Sequence, residues 1–137
     1  MRIMAIDLGA ARTGVAVCDE GEVLASPVGT VAEHDRARLL DRLAALATEH
    51  QAARLVVGHP RNMDGSCGES ARRAEEFARE LSERTGIPAD LWDERLTTVS
   101  AHGFLNQTNT RGKKRKAVVD TLSAVIILQD YLSARHR

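Results

Sequence analysis

At 137 residues the chain has room for one domain with a substantial core, and 43% apolar against 28% charged residues is the balance of an ordinary soluble globule. Its net charge is zero, which excludes a global field that draws in nucleic acid, so any such binding has to come from a local basic patch. Cys18 and Cys67 lack C-x-x-C spacing and read as reduced thiols of a cytoplasmic protein, and no apolar stretch is long enough for a signal peptide or a membrane span.

The first twenty residues carry the strongest local pattern. Ile3 to Ile6 form an apolar run of the kind found in a strand buried on both faces, and Asp7 stands where that run ends. Gly9 and Gly14 suit a turn or a close backbone approach, and Val15 to Cys18 read as the antiparallel partner. An aspartate on a central strand is either a rigid platform for a metal or phosphate, or a turn cap. Asp19 to Glu22 then form a turn. Val23 to Ala25 resume a strand that Pro27 and Gly29 bring towards its end, completing a three-stranded meander by about residue 31.

From Asp35 to His50 the apolar period changes to three and four, through Leu39, Leu40, Leu43, Leu46 and Ala47, which predicts an amphipathic helix. Leu55 to Gly58 predict a short buried strand, and His59 to Ser66 a loop dense in turn formers. His59 there reads as a hydrogen-bonding surface residue, with a role as ligand or base as the alternative. Ser66 and Glu69 have the spacing of a capping box for a helix to about Arg84, with Ala71, Ala74, Phe77, Ala78 and Leu81 on one face and Gly86 and Pro88 at its stop. Ala89 to Trp92 form a strand ending in Asp93 and Glu94, and Leu96 to Leu105 a short helix. Asn106 to Lys116 are polar throughout and predict a mobile loop containing Arg111, Lys113, Lys114, Arg115 and Lys116. The last helix is expected from near Ala117 to about Ala134, apolar nearly all round and therefore largely buried. At 100° per residue Asp120 shares a face with Ala124, Ile127 and Tyr131, where a charge needs a partner. A helix-start aspartate favoured by the macrodipole is the plain alternative.

This order predicts an α/β fold: a mixed five-stranded sheet, three antiparallel strands followed by two joined by helical crossovers, flanked by helices, in a single domain over 1–137. Asp7, Glu94 and Asp120 could then meet at one sheet edge. Three carboxylates brought together repel each other unless a metal sits between them, and oxygen-only ligands select a hard ion such as Mg²⁺ or Mn²⁺. Two such ions about 3.5–4 Å apart can bracket a scissile phosphate.

At these motifs the chain resembles the YqgF family, also called RuvX, of the RNase H-like superfamily. The resemblance spans essentially the whole chain. It rests on Asp7-Leu8-Gly9 with Thr13 to Val17, on Val57 to Gly65, on Asp93-Glu94-Arg95-Leu96-Thr97-Thr98, and on Val119-Asp120 with Ala124 to Leu128 and Tyr131-Leu132. His59 departs from the apolar residue usual in that family. The resemblance implies an RNase H-like fold and a metal-dependent nuclease with Asp7, Glu94 and Asp120 as metal-binding catalytic acids and Asp93 as a further candidate. It implies two Mg²⁺ or Mn²⁺ ions and a nucleic-acid partner. Maturation of the 5′ end of pre-16S ribosomal RNA is the expected role, and resolution of Holliday junctions in branched DNA is the alternative. Candidate substrate contacts are Asn62, Arg95, Arg111, Lys113, Lys114, Arg115 and Lys116. No membrane partner is expected, and a homodimer stays open.

Two other classes compete. Sugar and acetate kinases of the actin-like fold open with a similar Asp-x-Gly turn, but they need a second lobe for which this chain is too short. A non-catalytic nucleic-acid-binding module would explain the basic run but not three aimed acids. It would also have to work with only Phe77, Trp92, Phe104 and Tyr131 as stacking platforms.

Overall fold

The computed structural model describes residues 1–9, 12–60, 64, 66–93 and 112–136, and over 112–121 the backbone alone. Within these residues the elements run β1 (Ile3–Leu8), β2 (Thr13–Cys18), β3 (Ala25–Val31), α1 (Arg36–Glu49), β4 (Arg54–His59), α2 (Glu69–Thr85), β5 (Ala89–Asp93) and α3 (Gly112–Arg135). The sheet order is β3-β2-β1-β4-β5. β2 is antiparallel to β1 and β3, whereas β4 runs parallel to β1 and β5 parallel to β4. This is the mixed five-stranded sheet that the element order predicts, with β1 at its centre.

Alternation along the strands sends side chains to two separate cores. Met4, Ile6, Leu55 and Val57 pack under α1 and α2 with Leu39, Leu40, Leu43, Phe77 and Leu81. Ile3, Ala5 and Val56 pack under α3 with Ala124, Ile127, Leu128 and Leu132. Both faces of β1 and β4 are therefore covered, which is why their sequences are apolar without alternation. Asp35 caps α1 by accepting from the Arg38 N–H at 3.1 Å, and Gly86, with φ of 73°, closes α2 in the left-handed conformation.

Five local expectations are corrected. β3 starts at Ala25, not Val23; Asp19 Oδ1 accepts from the Val23 N–H at 2.8 Å and holds the preceding turn, leaving Val23 and Leu24 exposed. Pro27 and Gly29 lie inside β3 because it is an edge strand, where a missing N–H is tolerated, and the register slips by one residue opposite Val15 and Ala16 in a bulge. Ser66 does not cap α2: its N–H and hydroxyl both donate to Asp64 Oδ1, at 2.9 and 2.6 Å, and Gly68 takes the N-cap position. His59 is not on a loop surface but ends β4, 9% exposed, with Glu75 of α2 as its partner.

The fifth correction concerns the basic run. α3 begins at Gly112, so Lys113 to Lys116 are helical and not part of a loop. Lysine and arginine are good helix formers, and a helix nucleated in the following apolar run propagates back through them. The opposing dipole and like-charge terms amount to only about 0.3–1 kcal/mol each and do not stop it. Arg111 and the helix expected over Leu96 to Leu105 lie outside the described residues.

Candidate active site

Asp7 is the next-to-last residue of β1, half-buried, and it pairs in register with Gly14 of β2. The hairpin turns immediately afterwards. A Cβ on Gly9 would lie 2.2 Å from the Arg12 carbonyl oxygen, so only glycine allows the chain to fold back this tightly beside Asp7. Asp7 is thus mounted on the central strand at a point where the backbone closes under it.

The parallel strands bring their C-terminal ends to that same edge. Ile6 is level with Val57, Gly58 with Trp92, and His59 with Asp93. Asp7, His59 and Asp93 therefore stand on three adjacent strands, β1, β4 and β5, at one edge of the sheet. Their faces differ. Alternation places Asp7 with Ile3 and Ala5 on the α3 side, the side that Trp92 also occupies. Asp93 falls on the other side, level with His59 and facing α2.

α3 crosses the sheet in the opposite direction. At its C-terminal end the Tyr131 hydroxyl donates to Asp90 near the start of β5, and Arg135 Nε donates to Glu22 Oε1 at 2.8 Å near the start of β1. Tyr131 also packs edge-on against Trp92, ring centroids 6.0 Å apart. Asp120 lies eleven residues N-terminal of Tyr131, about 16 Å along the helix axis. β5 covers about 10 Å from Asp90 to Asp93. The α3 backbone at Asp120 is accordingly directed to the edge that carries Asp7. Glu94, Arg95, Asn62 and Arg111 lie outside the described residues, as do the side chains of Asp120, Lys113, Lys114, Arg115 and Lys116.

One basic residue at this edge escapes sequence reasoning. Arg73 of α2 lines a cleft of about 100 Å³ beside Leu8 and Gly9, together with Glu33, His34 and Phe77, and it lines the neighbouring cleft under Pro60 as well. Arg36 shares the first cleft, but it is engaged with Glu80 at 3.1 Å and lies over the Phe77 ring. In sequence Arg73 is one more polar residue on an amphipathic helix, and nothing marks it out. A larger cavity of about 350 Å³ lies between β3 and α1, beside Val28, Arg42 and Glu49.

Asp7 is an oxygen donor held on a rigid strand, so it fits a hard divalent cation and not a soft one. Among the described residues, no helix is long and apolar enough to cross a membrane.

A family model described as RuvX, Holliday junction resolvase, matches residues 1–134. The chain is 40% identical over 140 residues to a Lachnospira eligens protein named "Putative pre-16S rRNA nuclease", with all of both chains covered. A Mycobacterium tuberculosis protein of the same name is 46% identical, covering 98% of this chain and 79% of its own. Among solved structures, Thermus thermophilus RuvC in complex with a Holliday junction substrate superposes with a TM-score of 0.61 at 15% identity, over 99% of this chain and 96% of that one. Fowlpox virus resolvase bound to Holliday junction DNA superposes with a TM-score of 0.59 at 8% identity, with all of both chains covered. At these identities the structural likeness speaks to the fold, which is RNase H-like.

Proposed function

Because the chain belongs to the RuvX family, we propose that it is a divalent-metal-dependent nuclease that hydrolyses phosphodiester bonds of pre-16S ribosomal RNA in the cytoplasm. The observation that carries this reading is Asp7 on the central strand, at the edge where β4 and β5 also end and toward which the Asp120 segment of α3 is directed. Asp7, Glu94 and Asp120 are its proposed acids. Asp93 faces the opposite side of the sheet from Asp7, which favours its chain neighbour Glu94 as the second acid.

In this reading Asp7 is the fixed ligand, since its strand is hydrogen-bonded on both sides and cannot shift without disturbing the whole sheet. Bound Mg²⁺ or Mn²⁺ ions, proposed as a pair, would supply Lewis acidity toward the attacking water and the leaving oxygen. Gly9 lets backbone and phosphate approach the acids without an intervening side chain. Lys113, Lys114, Arg115 and Lys116 at the start of α3, with Arg111, Arg95 and Asn62, are the proposed contacts to the nucleic-acid backbone, and Arg73 adds a cation on the α2 side.

RNA is preferred over branched DNA because relatives at 40% and 46% identity carry the ribosomal RNA name. The family description and two resolvase folds favour the second reading, a Holliday junction resolvase. One assay separates them. Precursor 16S rRNA and a synthetic four-way junction are offered in parallel with Mg²⁺ or Mn²⁺. Cleavage near the 5′ end of the RNA, abolished by chelation, is expected. Cleavage of the junction alone moves the assignment to the resolvase, and cleavage of neither removes the nuclease.

A further inference from the structure

His59, Cys67 and Glu75 come together at the end of β4 and the start of α2. His59 Nε2 is 3.0 Å from Glu75 Oε1 and 4.0 Å from Cys67 Sγ, and the three donor atoms all lie within 4.8 Å of one another. His59 is 9% exposed and fixed at its strand end, Glu75 is on the second turn of α2, and Cys67 immediately precedes the α2 N-cap Gly68. Cys67 and Glu75 are open to solvent on their outer sides.

Two groups converge here on one ring nitrogen. Nε2 carries at most one proton: with it the nitrogen donates to the carboxylate, without it the nitrogen accepts from the thiol, so it serves one partner at a time. A cation in the place of that proton satisfies both. Around a tetrahedral ion, bond lengths of about 2.0–2.3 Å to nitrogen, oxygen and sulfur require donor separations of roughly 3.3–3.6 Å. The two separations to Nε2, 3.0 and 4.0 Å, bracket that range and need shifts of a few tenths of an ångström at exposed side chains.

We infer that this cluster is a transition-metal site of Zn²⁺ type, with Cys67, His59 and Glu75 as ligands and a fourth position open to water. Charge balances there: the thiolate and carboxylate together neutralise a divalent ion, the imidazole binds neutral through Nε2 with its proton on Nδ1, and the thiol proton is released to solvent. Sulfur and nitrogen ligands set its selectivity apart from that of an oxygen-only site, so Mg²⁺ does not compete. The site ties β4 to α2 one strand away from Asp7.

The test uses the full chain without a histidine tag, stripped of metal and assayed without nucleic acid, so it does not depend on the nuclease reading. Co²⁺ is titrated in and then displaced by Zn²⁺, in millimolar Mg²⁺. One equivalent of Co²⁺ is expected to give visible bands of a tetrahedral site and a near-ultraviolet thiolate charge-transfer band, both abolished by one equivalent of Zn²⁺. C67S should remove the charge-transfer band. C67S and E75Q should each weaken Zn²⁺ binding by more than the roughly 10–100-fold that loss of an outer-shell partner costs. Both substitutions are at exposed positions and leave the core untouched. Absence of the charge-transfer band, its persistence in C67S, or equal Zn²⁺ affinity of wild type and both variants overturns the site.

Discussion

The two ends of the parallel strands set carboxylates in different surroundings. At the starting end, carboxylates are fastened to named cations and donors. Glu22 receives Arg135 at 2.8 Å and the Met1 amine at 3.1 Å, and Asp90 receives Arg54 at 2.8 Å and the Tyr131 hydroxyl. These contacts fix the C-terminal end of α3 and the chain terminus to the sheet. At the finishing end, Asp7 stands near Gly9, where a Cβ would meet the Arg12 carbonyl oxygen, at the edge toward which the α3 backbone at Asp120 is directed. An acid surrounded by its own cations is a structural clamp, and Glu22 and Asp90 are of that kind; the proposed metal-binding acids belong to the other end.

The largest expected effect breaks the finishing end. Asp7→Asn is nearly isosteric and keeps hydrogen-bonding capacity while losing the charge. Turnover on the cleaved nucleic acid should fall by on the order of 10⁴ or more, the scale for one member of a catalytic unit. Melting temperature should be unchanged or raised, because repulsion among the acids falls. A variant that cleaves at the wild-type rate, or that loses activity only because it unfolds, would remove Asp7 from the proposed chemistry.

An intermediate effect concerns the start of α3. Replacing Lys113, Lys114 and Arg115 by Ala should flatten the plot of log K against log salt by roughly two to three units, since each phosphate contact contributes about −0.7 for single strands and −0.9 for duplex. Binding should weaken on all sequences alike. The helix itself should gain slightly, because cations oppose the dipole at an N-terminus. An unchanged salt slope would mean that the nucleic acid follows another path, with Arg73 as the next cation to test.

Much of the fold was legible because burial on two faces leaves a plain trace. Ile3 to Ile6 and Leu55 to Val57 are apolar without interruption, and the faces read from Leu39, Leu40 and Leu43 and from Ala71 to Leu81 are the buried ones. What escaped depends on neighbours in space. Pro27 and Gly29 read as a strand end because only an edge position tolerates them, and sequence does not say which strand is the edge. Lys113 to Lys116 read as a loop because charge was weighed above helix propensity. Of the candidate site, Asp7 at a strand end was legible from the abrupt change of polarity. The convergence of His59, Cys67 and Glu75 was not, since it arises only when α2 packs against the end of β4. Arg73 was equally hidden, as an exposed cation on an amphipathic helix has the pattern of a solvated face.

The smallest effect tests the starting end. Arg135, and after it the N-terminal amine, hold the Glu22 carboxyl below its ordinary range. A carboxyl depressed in the folded chain binds its proton more weakly there than in the unfolded chain. Its contribution to stability is therefore complete above the unfolded value of about 4.3 and is lost as pH falls through the lower folded value. Glu22→Gln should lower stability near neutral pH by no more than about 1 kcal/mol, because the contacts lie at the surface. Salt should shrink the difference, as a Debye length of about 3 Å at 1 M screens such pairs. The gap between wild type and variant should therefore close as pH falls through the folded value of Glu22. Urea denaturation of the two chains across that pH range reads the difference directly. Nuclease turnover should not change, since these groups sit at the opposite end of the strands from Asp7. A gap that persists in strong acid would mean that Glu22 supports the α3 terminus by packing instead of charge.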